Sequence, residues 1–196
     1  IARLNTNGSL DTSFTITLQG HPVYTTSIQS DGKIIIGGGS NSTSYLISRL
    51  NTDGTIDNTF NVGTGPNNVV TTTSIQADGK IIIGGNFTSF NGVSRNRIAR
   101  LNTNGTLDSS FVTGNITNIN VLTTCIQNDG KIIIGGVNNS SGIARLNTDG
   151  TDDTTFNVAI SPGIYNINSV AIQNDGKIII GQGSGDGVPV KNVFRL

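Results

Sequence analysis

The segment IARLNTNGTLDSSF at residues 98–111 recurs, nearly unchanged, from Ile1, Ile47 and Ile143. A second segment, IQNDGKIIIGG at residues 126–136, recurs from Ile28, Ile75 and Ile172. The two alternate along the whole chain. Self-similarity of this kind constrains the fold strongly, because one unit cannot bury its apolar face except against copies of itself. The Asp of the IQ-x-DGK motif marks the phase: Asp31, Asp78, Asp129 and Asp175 are spaced by 47, 51 and 46 residues. Periods of roughly 45–50 residues match four-stranded propeller blades. Helical repeats of that length need long stretches of 3.6-residue periodicity, and none is present.

Composition points the same way. Glu, Met and Trp are absent, so all 12 acidic residues are Asp, a turn former rather than a helix former. The 26 glycines punctuate short β-branched runs, the pattern of many short strands. Charged residues make up 12% of the chain and sum to a net charge of zero, so no basic stripe exists to hold duplex nucleic acid. No run of about 18 apolar residues is long enough to insert in a membrane as a helix. The single cysteine rules out an intrachain disulfide.

Each unit reads as four strands. Strand A is a run such as residues 121–127, followed by an Asp-Gly dipeptide that signals a two-residue hairpin. Strand B is KIII, whose unbroken apolar run predicts burial on both faces. Strand C is IARLN, followed by a second Asx-Gly turn, and a short strand D of the LDSSF type closes the unit. The expected fold is all-β: a β-propeller of four-stranded antiparallel blades, in one repeat domain over residues 1–196. Its units are 1–14 (partial), 15–60, 61–111, 112–156 and 157–196 (partial). The surplus strand C predicts that these repeats belong to a larger propeller or a longer array.

The pairing of QxDGKIIIGG with RLNxDGxxDxxF resembles the delta-60 repeat of bacterial β-propellers. The match is carried best by residues 76–85 and 100–111 and extends over essentially the whole chain. Gln182 departs from it at the second Gly of the GG pair, and Asp152 stands where Leu10, Ile56 and Leu107 stand elsewhere. The resemblance implies a propeller fold and a bacterial surface or secreted setting, and it supplies no catalytic residue.

Residues repeated in every unit are expected to hold the fold together. Arg3, Arg49, Arg100 and Arg145 face Asp11, Asp57, Asp108 and Asp153 across a hairpin, and Arg matches a carboxylate bidentately. Phe14, Phe60, Phe111 and Phe156 are expected to pack between blades. Asp149, Asp152 and Asp153 form a candidate calcium site, because Ca²⁺ takes several carboxylate oxygens; no other cofactor is expected. Cys125 stands where Ser27, Ser74 and Ala171 stand, a position for a small buried side chain rather than a nucleophile paired with His21.

Variable segments are where recognition is expected. In an up-and-down blade the B–C and D–A connections share one face, opposite the constant Asx-Gly turns. Loops on a rigid scaffold carry binding, and the longest of these loops covers residues 86–96. Tyr45, Phe87, Phe90, Arg95, Arg97 and Tyr165 are the candidates for the binding face, since aromatic and Arg side chains dominate recognition hot spots. The expectation is a non-catalytic extracellular binding or scaffold module of a bacterial surface protein, adhesin or filament. Its partner would be a protein or glycan on a cell surface, or the rest of its own longer chain. A bacteriophage tail or fibre protein of the virion is the alternative, and a propeller hydrolase or lyase the alternative of another class.

Overall fold

The computed structural model describes residues 1–16, 20–40, 44–114, 119–138, 142–158, 166–183 and 193–195, apart from the side chains of Ser44, Tyr45 and Phe194. Every regular element among them is a β-strand. The strands are β1 (Val23–Ile28), β2 (Ile34–Ser40), β3 (Ser44–Leu50), β4 (Val70–Ile75), β5 (Ile81–Gly85), β6 (Ser89–Phe90), β7 (Val93–Ser94) and β8 (Ile98–Leu101). They continue with β9 (Asn120–Ile126), β10 (Ile132–Val137), β11 (Ile143–Leu146), β12 (Ile167–Ile172), β13 (Ile178–Gln182) and β14 (Val193–Arg195). They form four antiparallel sheets, β1-β2-β3, β4-β5-β8, β9-β10-β11 and β12-β13-β14, with β6-β7 as a small inserted hairpin. These are blades 1 to 4 of a β-propeller. The first strands β1, β4, β9 and β12 stand side by side.

The fourth strand of each unit contracts to one bridge, Leu4↔Leu10, Leu50↔Ile56, Leu101↔Leu107 or Leu146↔Asp152. The next residue explains this. Asp57 Oδ1 accepts the Thr59 N–H at 3.0 Å and its hydroxyl at 2.6 Å, which turns the chain out of the extended conformation. Asp11, Asp108 and Asp153 do the same with Ser13, Ser110 and Thr155.

The A–B turns also differ from a two-residue hairpin. Gln29 N–H donates to the Lys33 carbonyl, and Gly32 N–H to that of Gln29, closing a three-residue loop. Only the glycine has positive φ, 81° at Gly32 and 82° at Gly130. This is a type I turn completed by a glycine bulge, because Asp31 spends its carboxylate on the Lys33 N–H and keeps ordinary torsions.

Strand B is buried on both faces, as its sequence predicts. Ile82 and Ile133 reach toward the next blade, while Ile81, Ile83, Ile132 and Ile134 reach toward the previous one. The two-residue alternation of a strand therefore feeds two interfaces from one run of isoleucines. The two glycines that follow have separate reasons. A Cβ on Gly84 would lie 2.5 Å from Val121 Cγ1 of the next blade, and one on Gly85 would lie 2.1 Å from the Val69 carbonyl oxygen of its own. The first glycine admits a neighbouring blade, and the second admits the bulged start of strand A, where the register of β4 against β5 slips between Val70 and Thr72.

Candidate functional site

The repeated Arg and Asp do meet, and they bring a lysine with them. In blade 2, Asp108 Oδ2 accepts Arg100 Nε at 2.8 Å and Lys80 Nζ at 3.0 Å. Blade 1 repeats this with Arg49, Lys33 and Asp57, and blade 3 with Arg145, Lys131 and Asp153. The guanidinium then crosses to the next blade. Arg49 Nη1 donates to the Thr103 carbonyl at 2.7 Å and Arg100 Nη1 to that of Thr148 at 2.6 Å; Arg3 makes the same bond to Thr52. Each Arg lies over the Phe that follows its Asp, 4.8 Å from ring centre to guanidinium carbon for Phe60 and Phe111. That ring packs on the glycine of the next turn: a Cβ at Gly105 would be 3.0 Å from Phe60.

These contacts make one joint, repeated between blades. Its charges are already committed to one another. Lys33 and then Thr59 hold the Asp57 carboxyl well below the ordinary carboxylate range, and Lys131 and Thr155 do so for Asp153. Burial opposes ionisation of Asp108, but hydrogen bonds from Ser110, Lys80 and Arg100 outweigh it.

The calcium candidate does not assemble. Asp153 is occupied by Lys131 and Arg145, Asp149 by the backbone and hydroxyl of Thr151, and Asp152 bridges Leu146 in the sheet. No group of three potential metal ligands forms among the described residues. The three acids are close in sequence, but the turn commits the Asp149 and Asp153 carboxylates to separate donors.

Hydroxyls knit the inner strands. Thr73 Oγ1 lies 2.7 Å from Ser27 Oγ and 3.2 Å from Thr25 Oγ1, and Thr124 Oγ1 lies 2.7 Å from Ser74 Oγ and 3.1 Å from Thr72 Oγ1. At the last of these contacts the sequence places Cys125 and Val170 in the positions of Ser74 and Thr124. The hydroxyl pair becomes an apolar one, and burial pushes the Cys125 thiol pKa up. This thiol fills space and is not activated.

On the variable face the structure corrects two of the binding candidates. Phe87 and Phe90 are 0% exposed and belong to the core between blades 1 and 2. The long loop has to cover its own backbone, and these rings lie beneath it. Tyr45 pairs with Gly39 in β3, but its side chain lies outside the described residues, as does all of Tyr165. Arg95 and Arg97 are half-buried at the foot of the loop. Arg95 Nη1 donates to the Ser94 carbonyl, and Arg97, at φ 64°, donates its N–H to the Phe87 carbonyl.

What stands out on this face is a braced ledge. The β6-β7 hairpin turns at Asn91-Gly92, both at positive φ (51° and 74°), a two-residue turn of the primed kind. Asn91 Oδ1 accepts the Gly65 N–H at 2.8 Å and the Thr64 hydroxyl at 3.0 Å. Asn67 Oδ1 accepts the N–H groups of Thr88 and Ser89, and Pro66 bridges Phe90. The D–A connection and the B–C loop of blade 2 are thus one body, with Thr64, Asn67, Thr88 and residues 91–94 exposed. Sequence reasoning missed Asn67 and Asn91; the Asn91-Gly92 dipeptide was the available signal.

Four antiparallel blades with their first strands side by side, three of them closed by the same Lys–Asp–Arg joint, define a β-propeller. The chain belongs to the family described as the domain of unknown function (DUF5122) beta-propeller, which it matches over residues 1–14, 29–60, 76–111 and 127–156. Those segments contain every joint residue. Comparison with curated proteins finds no match. Among solved structures it is similar to virginiamycin B lyase from Staphylococcus aureus, with TM-score 0.59 and 20% identity over 85% of this chain and 51% of that one. It is similar to a gluconolactonase from Xanthomonas campestris, with TM-score 0.61 and 11% identity over 93% of this chain and 62% of that one. It is also similar to the extracellular domain of a protein assigned as a one component system in B. thetaiotaomicron, with TM-score 0.55 and 14% identity over 94% and 25%. At these identities the likeness is one of fold. The chain spans about half to three fifths of the lyase and the lactonase.

Proposed function

We propose that the chain is a non-catalytic binding or scaffold module of a bacterial surface protein, with repeats of the delta-60 kind. It would recognise protein or glycan through the ledge of residues 61–69 and 86–97. The disposition of ionisable groups carries this reading. Asp57, Asp108 and Asp153 are each held by their own lysine and arginine. The bulged positions at the start of the inner strands are Tyr24, Thr71, Leu122 and Asn168, none of them a general base or an activated nucleophile. A rigid ledge of exposed hydroxyls and amides suits polar partners without chemistry.

The test is binding of the chain to glycan arrays and bacterial cell surfaces, with Thr88→Arg and Val93→Asp as ledge variants. Binding that both variants abolish, at unchanged urea midpoint, is the expected result. Turnover of a lactone or of virginiamycin B, unaffected by the ledge variants, would overturn the reading in favour of an enzyme.

A further inference from the structure

Charge is sorted by the ends of the blades. Every Asp among the described residues stands in an Asx-Gly turn or in the closing turn after strand C. The described lysines follow those turns directly, and Arg3, Arg49, Arg100, Arg145 and Arg195 stand on strand C. Of the described Lys and Arg side chains, Arg95 and Arg97 alone lie at the other end, on the braced ledge of blade 2. The two ends are separated by β5, Ile81–Gly85, a run that spans about 16 Å at ~3.3 Å per residue. That exceeds the Debye length of about 8 Å at physiological salt, and Asp57, Asp108 and Asp153 at the far end are already matched by their own cations. The ledge is therefore positive on a chain of zero net charge.

Arg95 differs from the arginines of the joint. Arg49 and Arg100 are buried, and each spends its guanidinium on an Asp, a carbonyl and a hydroxyl. Arg95 is half-buried and makes one side-chain hydrogen bond, from Nη1 to the Ser94 carbonyl at 2.8 Å. It has no ion pair among the described residues, and its Nε is buried without an acceptor there. A partly dehydrated guanidinium with no counter-charge gains more from an incoming anion than a fully hydrated one does.

The hairpin sets the neighbours of this arginine. Arg95 N–H donates to the Thr88 carbonyl at 3.0 Å, so Thr88 and Arg95 stand opposite each other at the open end of β6 and β7. Two-residue alternation places Val93 on their side of the hairpin. Val93 is 45% exposed. The Thr88 hydroxyl accepts Asn67 Nδ2 at 2.9 Å and keeps its own proton to donate. A guanidinium, an oriented hydroxyl and a small apolar surface thus share one side of a rigid hairpin. An acidic sugar presents the complementary set: an anion, ring hydroxyls and an apolar C–H face. The exposed side chains nearby are hydroxyls and amides, while Phe87 and Phe90 are buried, so the ledge lacks the aromatic anchors typical of a protein-binding hot spot.

We propose that the ledge takes an anionic polysaccharide, one that carries carboxylate or sulfate groups. Arg95 holds the anion, the Thr88 hydroxyl meets a ring oxygen and Val93 lies against the ring face. The guanidinium edge that Ser94 leaves unused offers N–H groups to either anion, and the charge of Arg97 adds attraction. This rests on the ledge being the binding surface and names the class of ligand for it.

Binding of the 196-residue chain to polygalacturonate, dextran sulfate and uncharged dextran tests this. The chain should bind at least one of the charged polymers and not dextran, and the one preferred tells carboxylate from sulfate. Binding should weaken as NaCl rises from about 50 to about 300 mM. Arg95→Gln should weaken it by about tenfold or more, and Arg95→Lys should recover part of that loss. Arg95 makes no ion pair among the described residues, so both variants should keep the parent urea midpoint and separate binding from folding. Binding to the charged polymers that Arg95→Gln leaves intact, dextran bound as tightly as they are, or binding to none of the polymers would each overturn the proposal. In all three cases the ledge falls as the binding surface only if Val93→Asp also leaves attachment to glycan arrays and cell surfaces unchanged, or if no such attachment occurs.

Discussion

Replacing Asp108 by Ala tests the blade joint most directly. The carboxylate is 6% exposed and accepts hydrogen bonds from Arg100, Lys80 and both the N–H and hydroxyl of Ser110. Its loss strands Arg100, itself 8% exposed, without a counter-charge. Breaking a buried pair from one side costs about 3–5 kcal/mol. Arg100 keeps the Thr148 carbonyl and the Phe111 ring, and Lys80, with a 31% exposed side chain, regains water, so the lower end applies. With an m-value of about 2 kcal/mol/M, a loss of about 3 kcal/mol moves the urea midpoint down by about 1.5 M. The same substitution at Asp11, whose arginine is 38% exposed, should move it far less, because water already screens that pair. Urea unfolding of both variants beside the parent measures the difference. Equal shifts at Asp108 and Asp11 would refute the claim that burial, rather than the ion pair itself, gives the joint its strength.

Acid should act through the same groups. Asp57 and Asp108 have folded-state pKa values below the ordinary 3.8, so their contribution is full above that value and fades as pH falls below it. Urea midpoints should be level from about pH 7 to 5 and drop at about pH 3, with a shallower drop in Asp108→Asn. Gly84→Ala should cost about 1–3 kcal/mol by pressing Cβ onto Val121, and Val121→Ala in the same chain should recover part of it, as a double-mutant cycle would show. Thr124→Val should cost about 1 kcal/mol by stripping Ser74 of its hydroxyl partner, and adding Ser74→Cys should lessen the loss by reproducing the Cys125–Val170 pair. Cys125 should react slowly with a thiol reagent at neutral pH, and faster once urea exposes it fully; labelling of the folded chain as fast as of the unfolded one would contradict its half-buried setting and raised pKa.

Much of the scaffold was legible because the repeat states each packing rule several times. The KIII runs announced burial on both faces, and Ile82 and Ile83 indeed serve opposite interfaces. Arg100 and Asp108 were legible as partners because a hairpin of known length separates them. Lys80 was not, because its approach to Asp108 depends on how strand B sits beside the closing turn rather than on any spacing. Phe87 and Phe90 were misread as recognition residues for a related reason: a loop's composition does not say which of its side chains must cover the backbone beneath.

The chain's own residues determined the class of fold, the blade period and the places where Asx-Gly turns fall, since these follow from local torsions and two-residue alternation repeated four times. The tertiary structure alone decided what each repeated charge does. Whether an Asp binds a metal, a ligand or its own lysine depends on distances of a few ångströms between segments tens of residues apart, and coulombic and hydrogen-bond energies turn on those distances. It likewise decided that the ledge is one body, because Asn67 and Asn91 reach across two connections that are separate in the sequence and meet only when blade 2 closes.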